Sequence, residues 1–153
     1  MSDQLIKLPQ FEVTLGNGSL VNEQFFFNQN IILFFYPRDD TPGCTKEAQN
    51  FSELKETFLD LDIKIYGVSK DDQNSHKKFI SKYNLLIDLL FDHKGLMCEA
   101  FQVLKKKQIY GKHYNGIERS TFLIDKESNI VKCWRNVKVE GHVEDVLSAA
   151  KLL

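Results

Sequence analysis

The sequence predicts a three-layer α/β sandwich on a mixed central sheet, and three observations support this. The apolar runs IILFFY (31–36) and IKIYGVS (63–69) lack the alternation of a half-exposed strand and suit strands covered on both faces. Between them Ala48, Phe51, Leu54, Phe58 and Leu61 recur at three- and four-residue steps, the apolar stripe of one helix from about 43 to 60. Late in the chain, STFLID (120–125) and NIVKCWR (129–135) flank the turn-like Lys126-Glu127-Ser128 and read as a hairpin. Strand, helix, strand first and a hairpin later imply parallel pairing followed by antiparallel pairing.

The remaining elements follow in order. GNGS (16–19) reads as a hairpin turn and not as a phosphate cradle, because no helix start follows it. After Ser69, DDQNSHKKFISKYN carries turn formers and then a helical stretch, and LLIDLLFD (85–92) is a further strand. GLMCEAFQV (95–103) gives a short helix through Leu96, Met97, Ala100 and Phe101. The polar, tyrosine-bearing stretch Lys105 to Gly116 is expected to be a loop, with Lys105 to Lys107 solvated. Beyond Gly141, Val143, Val146, Leu147 and Ala150 stand at helical spacing and predict a closing helix against the sheet.

Length and composition narrow the function classes. A chain of 153 residues forms one domain that buries roughly two thirds of its unfolded surface, enough for a core of its own. A formal net charge of −1 gives no general field for nucleic acid or anionic membrane, so the expected partner is small or neutral. The start, MSDQLIKLPQFEV, has no secretory pattern. No apolar run approaches the ~20 residues of a membrane-spanning helix, and the expectation is a soluble, cytoplasmic protein. Cys44, Cys98 and Cys133 are odd in number and widely spaced, which favours reduced thiols over a disulfide framework. His76, His93, His113 and His142 combine with no cysteine at metal-ligand spacing, so neither a metal nor an organic cofactor is expected.

Chemistry concentrates in PRDDTPGC (37–44), where the chain leaves the carboxyl end of a central strand and enters a helix. With Thr41 as N-cap and Pro42 at the first helical position, Cys44 falls in the first turn, among unpaired N–H groups at the positive end of the helix dipole. That location favours thiolate over thiol. A dithiol redox site would have cysteine at both ends of C-x-x-C, whereas here Thr41 holds the first position. A thiolate beside a hydroxyl suits attack on an oxygen substrate.

Pro37, Thr41 and Cys44 in the order P-x-x-x-T-x-x-C resemble the peroxiredoxin signature, and FYPRDDTPGCTKEA is similar to the Q-type, or bacterioferritin comigratory protein, branch. The resemblance runs from about Leu8 to the C-terminus and implies a thioredoxin-like α/β/α fold. It implies a peroxidatic role for Cys44, whose thiolate attacks a hydroperoxide and becomes a sulfenic acid. Thr41 would bridge sulfur and peroxide through its hydroxyl, Pro37 would shield the pocket from water, Arg119 would pair with the thiolate and polarise the peroxide, and Glu47 would orient Arg119.

Many members of this branch carry a resolving cysteine five residues after the first, where this chain has Gln49. Resolution then falls to Cys98, to Cys133 or to an external thiol. Cys98, flanked by Met97 and Phe101 in a short helix, reads first as a core residue, and Cys133 beside Trp134 as a strand residue. The expected cycle uses one cysteine and an external reductant such as thioredoxin or glutaredoxin with glutathione. The branch implies a monomer, with a dimer as the alternative. A redox sensor with slow turnover and a non-catalytic binding module are the competing functions.

Overall fold

The computed structural model describes residues 5–109 and 111–153. A hairpin opens the fold, β1 (Glu12–Thr14) and β2 (Leu20–Asn22), closed at GNGS with Gly18 at a φ of 91°. A short 3-10 turn (Glu23–Phe26) leads into β3 (Asn30–Phe35). There follow α1 (Pro42–Glu53), α2 (Lys55–Asp60), β4 (Ile63–Ser69), α3 (Gln73–Tyr83), β5 (Asp88–Phe91) and α4 (Leu96–Ala100). The chain ends with β6 (Leu104–Ile109), β7 (Lys112–Ile117), β8 (Ser120–Ile124), β9 (Ile130–Trp134) and α5 (His142–Ala150). Seven strands form one sheet in the order β2-β1-β5-β4-β3-β8-β9. β3, β4 and β5 run parallel, and β8 and β9 extend the sheet antiparallel.

The sheet divides the interior into two cores. Alternation along β3 sends Ile32 and Phe34 to one face, where with Tyr36 they meet Phe51 of α1, Phe58 of α2, Phe79 of α3 and Val146 of α5. Ile31, Leu33 and Phe35 go to the other face, against Met97 and Cys98 of α4, Phe101, Phe26 and Phe11. Both faces of β3 are therefore covered, which is why its sequence shows no polar alternation. The three layers and the mixed sheet match the arrangement expected from the sequence.

Three expectations are corrected. Residues 43–60 form two helices, because Leu54 leaves helical geometry at φ −101° and ψ 9° and its N–H bonds to Phe51 in a tighter turn. The apolar stripe crosses this break because a three-residue step belongs to both kinds of turn. The stretch from Lys105 to Gly116 is not a loop. β6 and β7 pair antiparallel from Leu104↔Ile117 to Ile109↔Lys112 as a separate ribbon. Backbone ladder bonds join it, and Lys105, Lys106, Lys112 and Asn115 are exposed along it, so no apolar period marks it. Tyr110, in the same stretch, lies outside the described residues. The strand and short helix expected at 85–92 and 95–103 contract to Asp88–Phe91 and Leu96–Ala100. Leu85 instead closes α3, its N–H reaching Ile80 past Asn84 in the left-handed region.

One close approach fixes how β4 meets its neighbours. A Cβ on Gly67 would stand 2.7 Å from Leu89 Cδ2 and 2.7 Å from Phe34 Cζ, so only glycine lets these side chains meet over the strand. Gly67→Ala is expected to destabilise the protein by ~1–3 kcal/mol through overpacking, measured as a lower denaturant midpoint. An unchanged midpoint would show that Leu89 and Phe34 move aside freely.

Candidate active site

Thr41 occupies the N-cap of α1 with extended backbone, Pro42 takes the first helical position, and the first helical bond runs from the Thr45 N–H to the Thr41 carbonyl at 2.8 Å. The N–H groups of Gly43 and Cys44 precede that bond and point out of the helix start without intrahelical partners. The Thr41 hydroxyl does not cap them; it donates to the Arg38 carbonyl at 2.9 Å. Cys44 Sγ is buried, with Cys44 1% exposed, and joins the core of Phe34, Tyr36 and Phe51.

Arg119, in the link between β7 and β8, reaches this sulfur across 75 residues of sequence, and both Nη1 and Nη2 lie 3.5 Å from Sγ. Nη1 also donates to Glu47 Oε1 at 2.9 Å. Glu47 lies one turn after Cys44 on α1, so one helix face presents sulfur and carboxylate to the same guanidinium. Gly43 makes room for this: a Cβ there would stand 3.1 Å from Arg119 Nη2. Gly43 was not singled out from sequence, and its place just before the cysteine of a site bearing a bulky cation is the signal that could have found it.

Burial on its own disfavours both charges of the pair. It pushes the Glu47 carboxyl up from 4.5 to about 7, against the opposing pull of Arg119. For Arg119 burial alone would lower the pKa, but the charges and hydrogen bonds of Glu47 and Cys44 hold it above its ordinary value. His142, at the start of α5, borders the same space. Its Nε2 is 2.8 Å from Thr121 Oγ1 and 3.9 Å from Glu47 Oε2, and burial holds its pKa down at about 4.

The loop that leads to the helix is anchored to α3. Tyr36 donates its phenol to Asp39 Oδ1 at 2.6 Å, and Ser75 Oγ donates to Oδ2 at 2.8 Å. His76 places Nδ1 2.8 Å from the same Oδ2 and Nε2 2.9 Å from the Leu90 carbonyl. Asp40, left-handed at φ 59°, accepts from Lys82 Nζ at 2.8 Å and from the Tyr83 hydroxyl. Pro37 is exposed at the bend after β3. Tyr36, Asp39 and His76 were not singled out from sequence, since a lone histidine in a helix carries no signal of its distant partner.

The other two thiols lie away from this site. Cys98 packs in the core on the opposite face of the sheet, where burial and the nearby Asp92 push its thiol far up. Cys133 is exposed on β9 and pairs with Phe122, whose side chain also belongs to that opposite core. Among the described residues no cluster of three or more His, Cys, Asp or Glu could hold a metal.

Glu47 and His142 affect stability with opposite signs. The raised Glu47 contributes most below pH 4.5 and its contribution is lost as pH rises to about 7. The depressed His142 contributes fully above pH 6.5 and loses its contribution as pH falls to about 4. Glu47→Gln removes the first effect, so the unfolding free energy of the variant should climb more steeply with pH between about 4.5 and 6.5 than that of the parent. Denaturant melts across that range measure the slope, and parallel curves would contradict it.

The sequence profile of the AhpC/TSA family matches residues 6–133. The chain is 48% identical to peroxiredoxin Bcp of Bacillus subtilis, over 95% of this chain and 92% of that protein. It is 35% identical to peroxiredoxin Bcp of Escherichia coli, over 94% and 92%. Its fold superposes with a TM-score of 0.90 on bacterioferritin comigratory protein of Xanthomonas campestris, 39% identical over 98% of both chains and solved in work on alkyl peroxide reduction. With its thiol, arginine and carboxylate assembled at a helix start on a thioredoxin-like sheet, the chain belongs to the AhpC/TSA family of peroxiredoxins, in the Bcp or Q-type branch.

Proposed function

We propose that the protein is a thiol-dependent peroxidase that reduces hydrogen peroxide and organic hydroperoxides at Cys44. The observation that carries this reading is the placement of both Arg119 Nη atoms 3.5 Å from Cys44 Sγ at a helix start. The thiolate attacks the terminal oxygen of the hydroperoxide. An S–O bond forms as the O–O bond breaks, sulfur is oxidised to the sulfenic acid, and the departing alkoxide or hydroxide takes a proton to leave as alcohol or water. Arg119 and the free N–H groups of the first turn supply fixed positive charge where negative charge moves from sulfur to leaving oxygen. Glu47 holds the guanidinium in place, the Thr41 hydroxyl, which rests on the Arg38 carbonyl, turns from it to bond the peroxide, and Pro37, at the exposed bend before α1, flanks the approach without contributing an N–H that would order water.

The cycle closes with an external thiol. Cys98 and Cys133 are separated from Cys44 by the sheet, and a disulfide needs Cα atoms within about 7 Å. A first external thiol condenses with the sulfenic acid, releasing water, and a second reduces the mixed disulfide to regenerate Cys44. Thioredoxin, or glutaredoxin with glutathione, fits this role. Cys44, Glu47 and Arg119 come from one chain and one domain, so a monomer suffices. A reducing cytoplasm suits three free thiols, and among the described residues no helix is long and apolar enough to cross a membrane.

Cys44→Ser is expected to abolish peroxide turnover, and Arg119→Ala to slow Cys44 oxidation by roughly a hundredfold, the scale for removing a preorganised charge donor. Stopped-flow oxidation and coupled turnover assays measure both, and retained turnover in Cys44→Ser would refute the reading. One equivalent of peroxide should leave the reduced protein with one added oxygen at Cys44 and no internal disulfide on peptide mapping. The Cys98→Ser, Cys133→Ser double variant should keep full turnover with external thiol; a large loss would identify an internal resolver.

A further inference from the structure

The Glu47 carboxylate receives a donor on one oxygen only. Oε1 is bonded to Arg119, whereas the fully buried Oε2 has no hydrogen-bond partner among the described residues. Leaving a buried carboxylate oxygen without a protein donor is unfavourable enough that its surroundings need an explanation. The polar atom facing it is His142 Nε2, at 3.9 Å.

The His142 ring is firmly held. Phe51 and Trp134 meet it edge-on at centroid distances of 6.2 and 5.8 Å, and Thr121 Oγ1 sits 2.8 Å from Nε2. Of the two neutral tautomers, one directs a lone pair from Nε2 toward the carboxylate oxygen, and the other directs an N–H. Only the second is attractive to an ionised Glu47, and a movement of about 1 Å completes the bond. Burial and Arg119 keep the ring neutral against Asp145 and Glu144, so it donates without bringing a second cation next to Arg119.

We propose that His142 is a positioning residue for the peroxide reaction: its Nε2–H, shared between Thr121 and Glu47, fixes the carboxylate that aims Arg119 at Cys44. The proposal rests on Cys44 being the peroxidatic thiol. It places a second layer behind the ion pair, running from α5 through α1 to the guanidinium and the sulfur. The nearby charged groups are Arg119 from the β7–β8 link, Glu47 from α1, and Glu144 and Asp145 from α5 itself.

The test is the single-turnover rate of Cys44 oxidation by hydrogen peroxide in four proteins besides the parent: His142→Phe, His142→Gln, Glu47→Gln, and His142→Phe with Glu47→Gln. His142→Phe keeps an aromatic ring and loses the donor, and should slow oxidation about tenfold, the effect of one hydrogen bond felt in the transition state. His142→Gln retains an N–H and should return the rate to within about threefold of the parent. On the Glu47→Gln background His142→Phe should change the rate less than about twofold, because the two residues act as one unit. Equal rates in His142→Phe and the parent, equal losses in the Phe and Gln variants, or a full tenfold loss persisting on the Glu47→Gln background would each overturn the proposal. A parent protein whose Cys44 does not react with peroxide would instead overturn the peroxidase reading on which it depends.

Discussion

A single guanidinium, that of Arg119, is shared between a cysteine sulfur and a buried carboxylate, and the rest of the site is arranged around this sharing. A cation beside a 1% exposed sulfur favours an anion at that position, yet a cation is itself costly to bury. Glu47 resolves the conflict by accepting Nη1 at 2.9 Å while leaving both nitrogens in reach of Sγ. Gly43 keeps the approach open, and the start of α1 adds N–H groups aimed the same way. Removing Arg119 would leave the fully buried Glu47 carboxyl without its ionic partner, an outcome that costs several kcal/mol in typical proteins.

The sheet decides which thiols can communicate. β3 and β8, covered on both faces, form a wall, with Cys44 in one core and Cys98 in the other. Burial and Asp92 keep Cys98 protonated and unreactive, so it behaves as a small apolar residue. Cys44 and Cys98 are thereby kept in different cores, and Cys133 is exposed on β9.

The segment between β3 and α1 explains how a loop holds such geometry. Its two aspartates point in different directions: Asp39 into a buried network with Tyr36, Ser75 and His76, and Asp40 outward to Lys82 and Tyr83. Both ends of α3 thus grip the chain just before Thr41. The left-handed backbone at Asp40 is a conformation an aspartate tolerates better than most residues, which helps explain why the loop reads DD ahead of TPG.

How much of this was legible in the sequence follows from the range of each interaction. Apolar runs located β3, β4 and β8, and cap chemistry placed Cys44 in a first helical turn, because the signals lie within a few residues of one another. The β6–β7 ribbon was invisible, since its stability resides in backbone pairing between polar strands, and the break at Leu54 was hidden by a spacing common to both helix types. Arg119 and Glu47 were reached through resemblance; nothing local ties residue 119 to residue 44. By itself the sequence determined the layered α/β class and a thiol at the positive end of a helix, both consequences of local periodicity and capping. Only the tertiary structure decided which cation meets that thiol, which face of the sheet each cysteine occupies, and that His142 stands behind Glu47, because those relations depend on how distant strands and helices are brought into register.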